Sequence, residues 1–303
     1  MTRVLVPYAD WPATLDLVAG VHADVWDGSG DLPAGAADVE LFVPPYLMGT
    51  APLRAIRRMT ALRVVQTLTA GVDDVRPFVP DGVTLCNARG VHDASTAELA
   101  VALTLAALRG IPEHVRAAEH GRWAHETRPS LADRRVLIVG YGAVGAAVEA
   151  RLAGFEVDVR RVARTARDGV AAMDALPGLL PWAEVVVLTV PMTDETRGLV
   201  DAAFLAALPD GALVVNVSRG PVVVTDDLLA EVSSGRLLAA LDVTDPEPLP
   251  PDHPLWRAPG VLVSPHVGGD TSAFLPRARA LVAAQVARYA AGEPLANMIS
   301  AAY

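Results

Sequence analysis

The segment VLIVGYGAVG, residues 136–145, constrains the fold of this chain more than any other feature. Four apolar residues open it, which is typical of a buried strand, and the alanine-rich stretch after it predicts a helix. Between them, Gly140 allows a tight turn, Gly142 lets the backbone approach a pyrophosphate, and Gly145 lets the helix pack on the strand. The helix N-terminus would present N–H groups and a positive dipole to phosphate. This strand–turn–helix context favours dinucleotide binding over the alternative, a purely structural glycine turn.

The rest of the chain repeats the alternation of strand and helix. Short β-branched runs alternate with Ala/Leu-rich stretches, which is typical of α/β proteins with parallel sheets. One series fills the first part of the chain and a second begins at Arg135, while residues 111–134 between them are polar and predict a surface or inter-subunit arm. Four runs are apolar on both faces and predict interior parallel strands: 185–190, 213–217, 238–243 and 261–264. We also predict strands at 3–6, 21–25, 39–43, 64–67, 83–86, 136–139 and 157–160, and helices at 12–20, 52–59, 96–108, 145–153 and 273–291.

Composition excludes several classes of protein. The net charge of −10 over 303 residues argues against nucleic acid or an anionic membrane as a partner, since both require a basic surface. Cys86 is the single cysteine, so we expect no intramolecular disulfide, no cysteine-based metal cluster and no metal site. The sequence contains no lysine, which excludes lysine Schiff-base chemistry and a Walker A loop. Because no apolar run reaches the ~18 residues of a membrane helix and the first residues predict a strand, we expect a soluble cytoplasmic protein.

A cluster of arginines takes the place where many dinucleotide-binding chains have an acid. The stretch VDVRRVARTAR, residues 157–167, lies about twenty residues beyond the first glycine, where a carboxylate would bind the ribose hydroxyls of NAD. We expect Arg161 in that place, with Arg160 or Arg164 beside it, and no contact for Arg167. A planar guanidinium suits a 2′-phosphate. We therefore predict that NADP(H) is the preferred cofactor and that NAD(H) is possible; a solvated arginine-rich loop is the alternative.

Three ionisable side chains follow three of the predicted interior strands. Arg219 comes after LVVNVS, Glu247 after LAALDV, and His266 after VLVS. Loops beyond the carboxyl ends of the strands line the ligand crevice of an open parallel sheet. One chemistry uses all three: the arginine binds a carboxylate, the histidine transfers a proton, and the glutamate orients the histidine and favours its protonated form. For each of the three residues taken alone, the alternative to a catalytic role is that of an ordinary loop residue.

Several long motifs carry a resemblance to a known family: ALTLAALR, VLIVGYGAVG, VPMTDETRGLV, NVSRGPVVVTDDLL, LDVTDPEPLP and SPHVGGDT. With them the chain resembles the D-isomer-specific 2-hydroxyacid dehydrogenases over nearly its whole length. The resemblance implies His266 as general acid/base, Glu247 as its partner and Arg219 as the substrate-binding arginine. It implies that the loop TAGVDD binds the substrate carboxylate through the backbone amides of Ala70 and Gly71. The further cofactor contacts that we predict are Thr96, Tyr141, Ala143, Val144, Val190, Pro191, Thr196, Val217, Ser218, Asp242, His266 and Gly268, with Asp242 at the nicotinamide amide.

The same resemblance implies a domain organisation: two Rossmann-like, doubly wound parallel-sheet domains of the α/β class. The substrate-binding, flavodoxin-like domain is expected to be discontinuous, formed by residues 1–96 and 271–303, and the dinucleotide-binding domain to span residues 97–270. A homodimer is implied, with the arm 111–134 embracing the partner. Trp123 is a candidate interface residue, and a lone exposed aromatic is its alternative.

The implied reaction is the NADP(H)-dependent reduction of a small 2-oxo acid, such as glyoxylate or hydroxypyruvate, to the D-2-hydroxy acid. The segment FVPPYLMG carries Tyr46, Leu47 and Met48 and no charged side chain, which favours a small or moderately apolar substrate without a second carboxylate. One alternative is a dehydrogenase of formate or phosphite on the same fold, although Pro265, rather than a glutamine, precedes His266. Another is a non-catalytic, dinucleotide-sensing protein of the corepressor type, which would not require Arg219, Glu247 and His266 together.

Overall fold

The computed structural model describes residues 1–299 and divides the chain into two compact units. The first unit consists of Met1–His92 and the segment from Ser272 onward, and the second unit is Asp93–Thr271. Residues 93–96 and Thr271, which were predicted in the substrate-binding domain, fall in the second unit. Residues 93–96 begin the helix Asp93–Leu108, which packs as one element on the sheet of that unit.

The elements are named here in chain order. The strands are β1 (Thr2–Val6), β2 (Val21–Val25), β3 (Leu41–Phe42), β4 (Val64–Gln66), β5 (Thr84–Cys86), β6 (Arg135–Val139), β7 (Asp158–Ala163), β8 (Ala171–Ala172), β9 (Val185–Leu188), β10 (Leu213–Asn216), β11 (Leu238–Leu241) and β12 (Val261–Val263). The α-helices are α1 (Trp11–Thr14), α2 (Asp93–Leu108), α3 (Ile111–Glu119), α4 (Ala143–Leu152), α5 (Leu176–Leu179), α6 (Ala202–Ala206), α7 (Thr225–Ser233) and α8 (Phe274–Ala291). Short 3-10 helices lie at Ala36–Asp38, Pro52–Arg58, Arg76–Phe78, Met173–Ala175, Leu180–Trp182, Gly220–Val222 and Pro254–Trp256.

Each unit contains one parallel sheet. The first unit has the strand order β2-β1-β3-β4-β5, and the second has β12-β11-β10-β9-β6-β7-β8. In both sheets the order reverses next to the first strand, which is the doubly wound arrangement that the sequence predicted. In the second unit the reversal lies between β6 and β9, directly beside the glycine loop. Ligands of open α/β sheets bind at such a switch point.

The central strands of the second unit are buried on both faces. In β9, Val186 and Leu188 pack into one apolar cluster, whereas Val185 and Val187 pack into another on the opposite face. All four residues of β10 are also buried. This pattern confirms the prediction of interior parallel strands for β9, β10 and β11, since helices cover both faces of such a sheet. The prediction was wrong for the run 261–264: β12 is the edge strand of the sheet and its three residues are only half-buried, because its outer side has no neighbouring strand.

Several elements differ by one to three residues from their predicted bounds, and three differ in length or type for a clear structural reason. The helix predicted at 12–20 is confined to α1, because Asp16 adopts a left-handed conformation with φ of 47° and ends the helical path. The helix predicted at 52–59 is the 3-10 helix Pro52–Arg58. The strand predicted at 157–160 is the longer β7, because it pairs with β6 as far as Val162 and with the short β8 through Val162 and Ala163.

Within residues 1–299, no single helix has the length and apolarity needed to cross a membrane. The pair α2 and α3, bent by 64°, meets those criteria by length and composition only. Helix α2 contributes Ala97, Ala100 and Leu103 to the buried core of the second unit.

Candidate active site

The glycine loop between β6 and α4 leaves no room for larger residues at two of its positions. Gly140 has a φ of 102°, and a Cβ atom there would lie 2.5 Å from the backbone nitrogen of Val190. A Cβ atom at Gly145 would lie 2.8 Å from the carbonyl oxygen of Gly140. The hydroxyl of Thr189 donates to that same carbonyl at 2.7 Å and holds the turn. The loop therefore depends on the two glycines that the sequence identified for the turn and for close packing.

The start of α4 fits the pyrophosphate of a dinucleotide. A Cβ atom added at Gly142 would meet no atom within 4 Å, so open space lies beside the backbone at this position. Gly142 is the N-cap of α4, no side chain caps the helix, and no acidic residue lies in its first turn. The first N–H groups of a helix lack partners within the helix, so here they remain available to phosphate oxygens. Ala143 and Val144 supply these groups.

The arginine stretch differs from its predicted arrangement because β7 continues to Ala163. Arg161 therefore lies inside the strand and not beyond its end. Its guanidinium forms a two-pronged ion pair with Glu149 of α4, in which the Nε–H donates to Oε2 at 2.7 Å. The hydroxyl of Tyr141, from the glycine loop, donates to the same carboxylate. Glu149 thus balances the charge of Arg161.

The other three arginines lie in different surroundings. Arg160, on the opposite face of β7, stacks over the ring of Trp182, with its guanidinium carbon 4.1 Å from the ring centroid. Arg164 follows the last residue of β7 directly and is exposed. Arg167, to which the sequence assigned no contact with the 2′-phosphate, turns back to the glycine loop, donates to the carbonyl oxygen of Tyr141 and lies 5.5 Å from its ring centroid. The end of β7 thus presents Arg164 as the first residue beyond the strand.

Electrostatics around Glu149 follow from these contacts. The hydrogen bond from Arg161 holds the pKa of the Glu149 carboxyl below its usual value, and the hydrogen bond from Tyr141 acts in the same direction. The carboxylate in turn raises the pKa of the Tyr141 phenol and of the Arg161 guanidinium. All three groups therefore stay in their usual neutral-pH forms: carboxylate, phenol and guanidinium.

The histidine and glutamate that follow β12 and β11 form a pair. The Nδ1 atom of His266 lies 2.5 Å from Oε1 of Glu247, and both side chains remain partly exposed, at 44% and 41%. His266 has a φ of 53°, a left-handed conformation that is uncommon for a residue with a side chain. Because Nδ1 is directed at the carboxylate, Nε2 is the ring nitrogen left for a substrate.

The loop that carries His266 is held by a buried carboxylate. Asp242 is 3% exposed; its Oδ1 accepts from the Ser264 hydroxyl at 2.6 Å and from the Val267 amide at 2.9 Å, and its Oδ2 accepts from the Gly268 amide at 2.8 Å. A Cβ atom at Gly268 would lie 2.9 Å from Oδ2, so this close approach requires glycine. The sequence predicted Asp242 as a nicotinamide contact. It did not predict that the Asp242 carboxylate also holds the loop in which His266 has a strained backbone.

Arg219 lies directly before the 3-10 helix Gly220–Val222, in the turn after β10. The Asn216 side chain shapes this turn: its amide donates to the Arg219 carbonyl at 3.0 Å, and its Oδ1 accepts from the Ser218 amide and hydroxyl. The Arg219 guanidinium donates to the Ser218 carbonyl at 2.8 Å. A Cβ atom at Gly220 would overlap the carbonyl of Thr244, so β10 and the loop after β11 meet closely here.

The remaining predicted cofactor residues lie on the loops and on α2. The turn after β9 contains Val190, Pro191 and Thr196, and the buried Thr196 hydroxyl donates to the Pro191 carbonyl at 2.6 Å, so it closes the turn itself. Val217 and Ser218, both buried, follow β10. Thr96 lies on α2, and its methyl group would lie 3.5 Å from a Cβ atom at Gly268. A ligand role for these residues stays a prediction.

In the first unit, Ala70 and Gly71 lie on the loop between β4 and the 3-10 helix Arg76–Phe78. The carbonyl of Ala70 accepts from the Asn87 side chain at 2.7 Å, and that of Gly71 accepts from the Thr69 hydroxyl at 2.8 Å. Within residues 1–299, the N–H groups of Ala70 and Gly71 donate to no protein acceptor. The loop therefore offers two backbone donors to a ligand, as the predicted carboxylate role requires.

The segment with Tyr46, Leu47 and Met48 also belongs to the first unit. The Tyr46 ring packs against Phe274 with a centroid distance of 4.1 Å and stacks on His92 at 5.7 Å. Leu47 and Met48 are exposed, and Leu47 has a left-handed φ of 58°. The segment is therefore anchored at Tyr46 and displays two apolar side chains.

Among residues 1–299, no group of three or more His, Cys, Asp or Glu side chains is arranged to hold a metal ion. Cys86 is buried, and burial raises the pKa of its thiol to about 11, which keeps it protonated at neutral pH. A thiolate nucleophile is thus not available at this position.

The fold and the site together define a class: a dehydrogenase with a Rossmann unit for a nicotinamide dinucleotide. Residues 101–268 match the family model described as "D-isomer specific 2-hydroxyacid dehydrogenase, NAD binding domain". The chain belongs to the D-isomer specific 2-hydroxyacid dehydrogenase family and is an oxidoreductase that uses a nicotinamide dinucleotide.

Relatives and solved structures give the same result. A glyoxylate reductase/hydroxypyruvate reductase of Mus musculus is 34% identical over 226 residues, which is 69% of this chain and 68% of the relative. A D-isomer specific 2-hydroxyacid dehydrogenase from Xanthobacter autotrophicus Py2, solved in complex with NADPH and MES, is 33% identical with a TM-score of 0.83 and covers 99% of both chains. An NADPH-dependent glyoxylate/hydroxypyruvate reductase from Sinorhizobium meliloti, in complex with NADP and sulfate, is 26% identical with a TM-score of 0.84 and covers 99% of this chain and 98% of its own.

The ion pair of Glu149 predicts a pH-dependent contribution to stability. Because folding lowers the pKa of Glu149, its ionised form stabilises the fold above the unfolded pKa, and this contribution is lost as the pH falls through the folded pKa. In Glu149→Gln, we expect a melting temperature below that of the unmodified protein at pH 7 and a difference that narrows on acidification below about pH 4. The exposed Glu119→Gln serves as control. A difference that stays constant from pH 7 to pH 3 would contradict this role.

Proposed function

We propose that this protein reduces a small 2-oxo acid, of the glyoxylate or hydroxypyruvate type, to the D-2-hydroxy acid with NADPH as the preferred reductant. The observation that carries the proposal is the His266–Glu247 pair, joined at 2.5 Å at the edge of the sheet that carries the glycine loop. The relatives named glyoxylate reductase/hydroxypyruvate reductase support the substrate class. The absence of charge on the exposed Leu47 and Met48 fits a substrate with one carboxylate.

When bound, the nicotinamide supplies hydride to the keto carbon of the substrate. Arg219 binds the substrate carboxylate and polarises the carbonyl, a task that suits a guanidinium with several donors. The imidazolium of His266 donates its Nε2 proton to the oxygen on which negative charge develops. Glu247 holds the ring through Nδ1, balances the charge of the imidazolium and so keeps Nε2 directed away from the pair. The left-handed backbone of His266, held by Asp242, sets the direction of the ring.

The preference for NADPH rests on the end of β7. NAD-dependent Rossmann units have an acid near this point, which binds the ribose hydroxyls and repels a 2′-phosphate. Here Ala163 ends the strand and Arg164 is the first residue beyond that end, whereas Arg161 lies within the strand. We therefore assign the main 2′-phosphate contact to Arg164, with Arg160 and Arg161 as secondary members of the cluster. NADPH and NADP in the solved relatives support the preference for NADPH.

A substrate panel with His266 variants tests the proposed reaction. Glyoxylate, hydroxypyruvate, formate and phosphite are assayed with both forms of the cofactor, and we expect turnover with the two 2-oxo acids. His266→Ala should lower kcat for their reduction by about 10²-fold or more, the usual scale of general acid catalysis. His22→Ala is a matched control, because His22 is similarly exposed and also pairs with a carboxylate, that of Asp24 at 3.2 Å. Turnover on formate or phosphite alone, or full activity of His266→Ala, would refute the assignment.

Substitution of Arg164 tests the cofactor preference. Arg164→Gln should lower kcat/KM for NADPH by about 10- to 100-fold, since hydrogen bonds to charged groups are worth that much, and should leave kcat/KM for NADH nearly unchanged. Arg151→Gln is the control for the loss of one arginine charge. In the unmodified protein, the Arg151 guanidinium donates to the Ala147 carbonyl on α4. Equal use of NADPH and NADH by the unmodified protein would show that the cluster is not selective.

We also propose that the protein is a homodimer in which residues 111–134 contact the partner. Trp123 is 94% exposed, and Ile111 and Val115 of α3 are 48% and 54% exposed, which leaves apolar surface along this segment. Sedimentation of the protein should give twice the mass of one chain. Trp123→Ser should weaken the association, and a monomer at all concentrations of the unmodified protein would rule the dimer out.

A further inference from the structure

The loop after β4 has an unusual set of hydrogen bonds. Four consecutive carbonyl groups, those of residues 68–71, each accept from a side chain. The donors are Nε2 of His92 to Leu68 at 2.7 Å, the Thr67 hydroxyl to Thr69 at 2.8 Å, Nδ2 of Asn87 to Ala70 at 2.7 Å and the Thr69 hydroxyl to Gly71 at 2.8 Å. The Thr69 carbonyl accepts a second bond, from the Ala88 amide at 2.9 Å.

These bonds determine where the N–H groups of the loop point. In a planar trans peptide, the C=O of one residue and the N–H of the next point in opposite directions. When Asn87 holds the Ala70 carbonyl toward the protein, the Gly71 N–H is directed away from Asn87. Thr67 and the Ala88 amide hold the Thr69 carbonyl and direct the Ala70 N–H in the same way. Within residues 1–299, both N–H groups are left without a protein acceptor.

Asn87 is itself held by buried amides. Nε2 of Gln66, a side chain with no exposed surface, donates to the Asn87 carbonyl at 3.0 Å and to the Thr67 carbonyl at 2.9 Å. Gln285 of α8, also fully buried, donates to Oε1 of Gln66 at 2.8 Å. Gln285 exchanges two further bonds with the backbone of Ala296. Because an unpaired buried amide would be costly, this series has one orientation in which all the members are satisfied.

We propose that Asn87 is a positioning residue for substrate binding: it sets the peptide between Ala70 and Gly71 so that the Gly71 N–H binds the substrate carboxylate, and Thr67 does the same for the Ala70 N–H. The inference rests on the proposed function and deepens it. The carboxylate is then recognised in the first unit by backbone donors alone, and the side chains of the loop serve to aim them. Such preorganised donors lose no conformational freedom when the anion binds.

Asn87→Asp tests the proposal with little change of shape. In the unmodified protein the Arg89 amide donates to Oδ1 of Asn87 at 3.2 Å, and the new carboxylate keeps this acceptor. Its second oxygen replaces Nδ2 and has no proton to donate to the Ala70 carbonyl. We expect KM for glyoxylate to rise about 10- to 100-fold, the value of one hydrogen bond to a charged group, with KM for NADPH unchanged. The control is Asn297→Asp, because Asn297 donates to the Arg89 carbonyl at 2.9 Å and not to the loop. An unchanged KM for glyoxylate, or equal changes in both KM values, would overturn the proposal.

A second pair of variants covers the case in which Asn87→Asp does not fold. Thr67→Val keeps the shape of the side chain and removes the hydroxyl that holds the Thr69 carbonyl, whereas Thr67→Ser retains it. The valine variant should show the raised KM for glyoxylate and the serine variant should restore it. Equal behaviour of the two variants would overturn the role of the hydroxyl.

Binding of oxalate, a carboxylate that cannot be reduced, separates this proposal from the proposed function. Calorimetry on the NADPH-loaded protein should show oxalate binding that is weakened about tenfold or more in Asn87→Asp. If the unmodified protein binds oxalate, loses affinity in the variant and turns over no 2-oxo acid, the positioning role stands and the proposed reaction fails. If the unmodified protein reduces glyoxylate, and if Asn87→Asp and Thr67→Val bind oxalate with the same affinity as the unmodified protein, the reaction stands and the positioning role fails.

Discussion

The parallel pairing of the strands in the second unit is the constraint on which the candidate active site depends. Because all strands run in one direction, the residues that follow β6, β9, β10, β11 and β12 leave the sheet at the same edge. The glycine loop, Arg219, Glu247 and His266 belong to four of those exits. They come from distant parts of the sequence, and the register between neighbouring strands, such as Asn216 opposite Leu241, sets where each strand ends along this edge.

Buried polar groups then turn this edge into a site. Asp242 accepts three hydrogen bonds from the loop that carries His266, and Asn216 uses both ends of its amide to shape the turn at Arg219. Asn87 and the two glutamines behind it do the same for a loop of the first unit. In each case an unsatisfied group would be costly, so the loop has one well-defined path. The residues that act on a ligand are thus a minority, and the residues that hold them are buried.

Much of this arrangement could be predicted from local patterns. The glycine spacing predicted the turn after β6 and the helix that follows it, because each glycine has a local steric reason. The apolar runs predicted the interior strands, since a strand covered on both faces is apolar throughout. The pairing of His266 with Glu247 was also predicted, from the order of residues after the strands. The end of β7 was missed, because strand length depends on pairing with β6 and β8, and this moved Arg161 from the proposed phosphate contact into an ion pair with Glu149.

By itself, the sequence determined the fold class, the binding of a nicotinamide dinucleotide and which residues lie on the loops after the strands, because these depend on spacing, on backbone freedom at glycine and on the periodicity of apolar residues. Only the tertiary structure decided how the polar side chains share their partners. Glu149 lies twelve residues from Arg161, and Gln285 lies 219 residues from Gln66, so no local pattern links them. Hydrogen bonding requires donor and acceptor to lie within about 3 Å in the right orientation, and that proximity is a property of the folded chain alone.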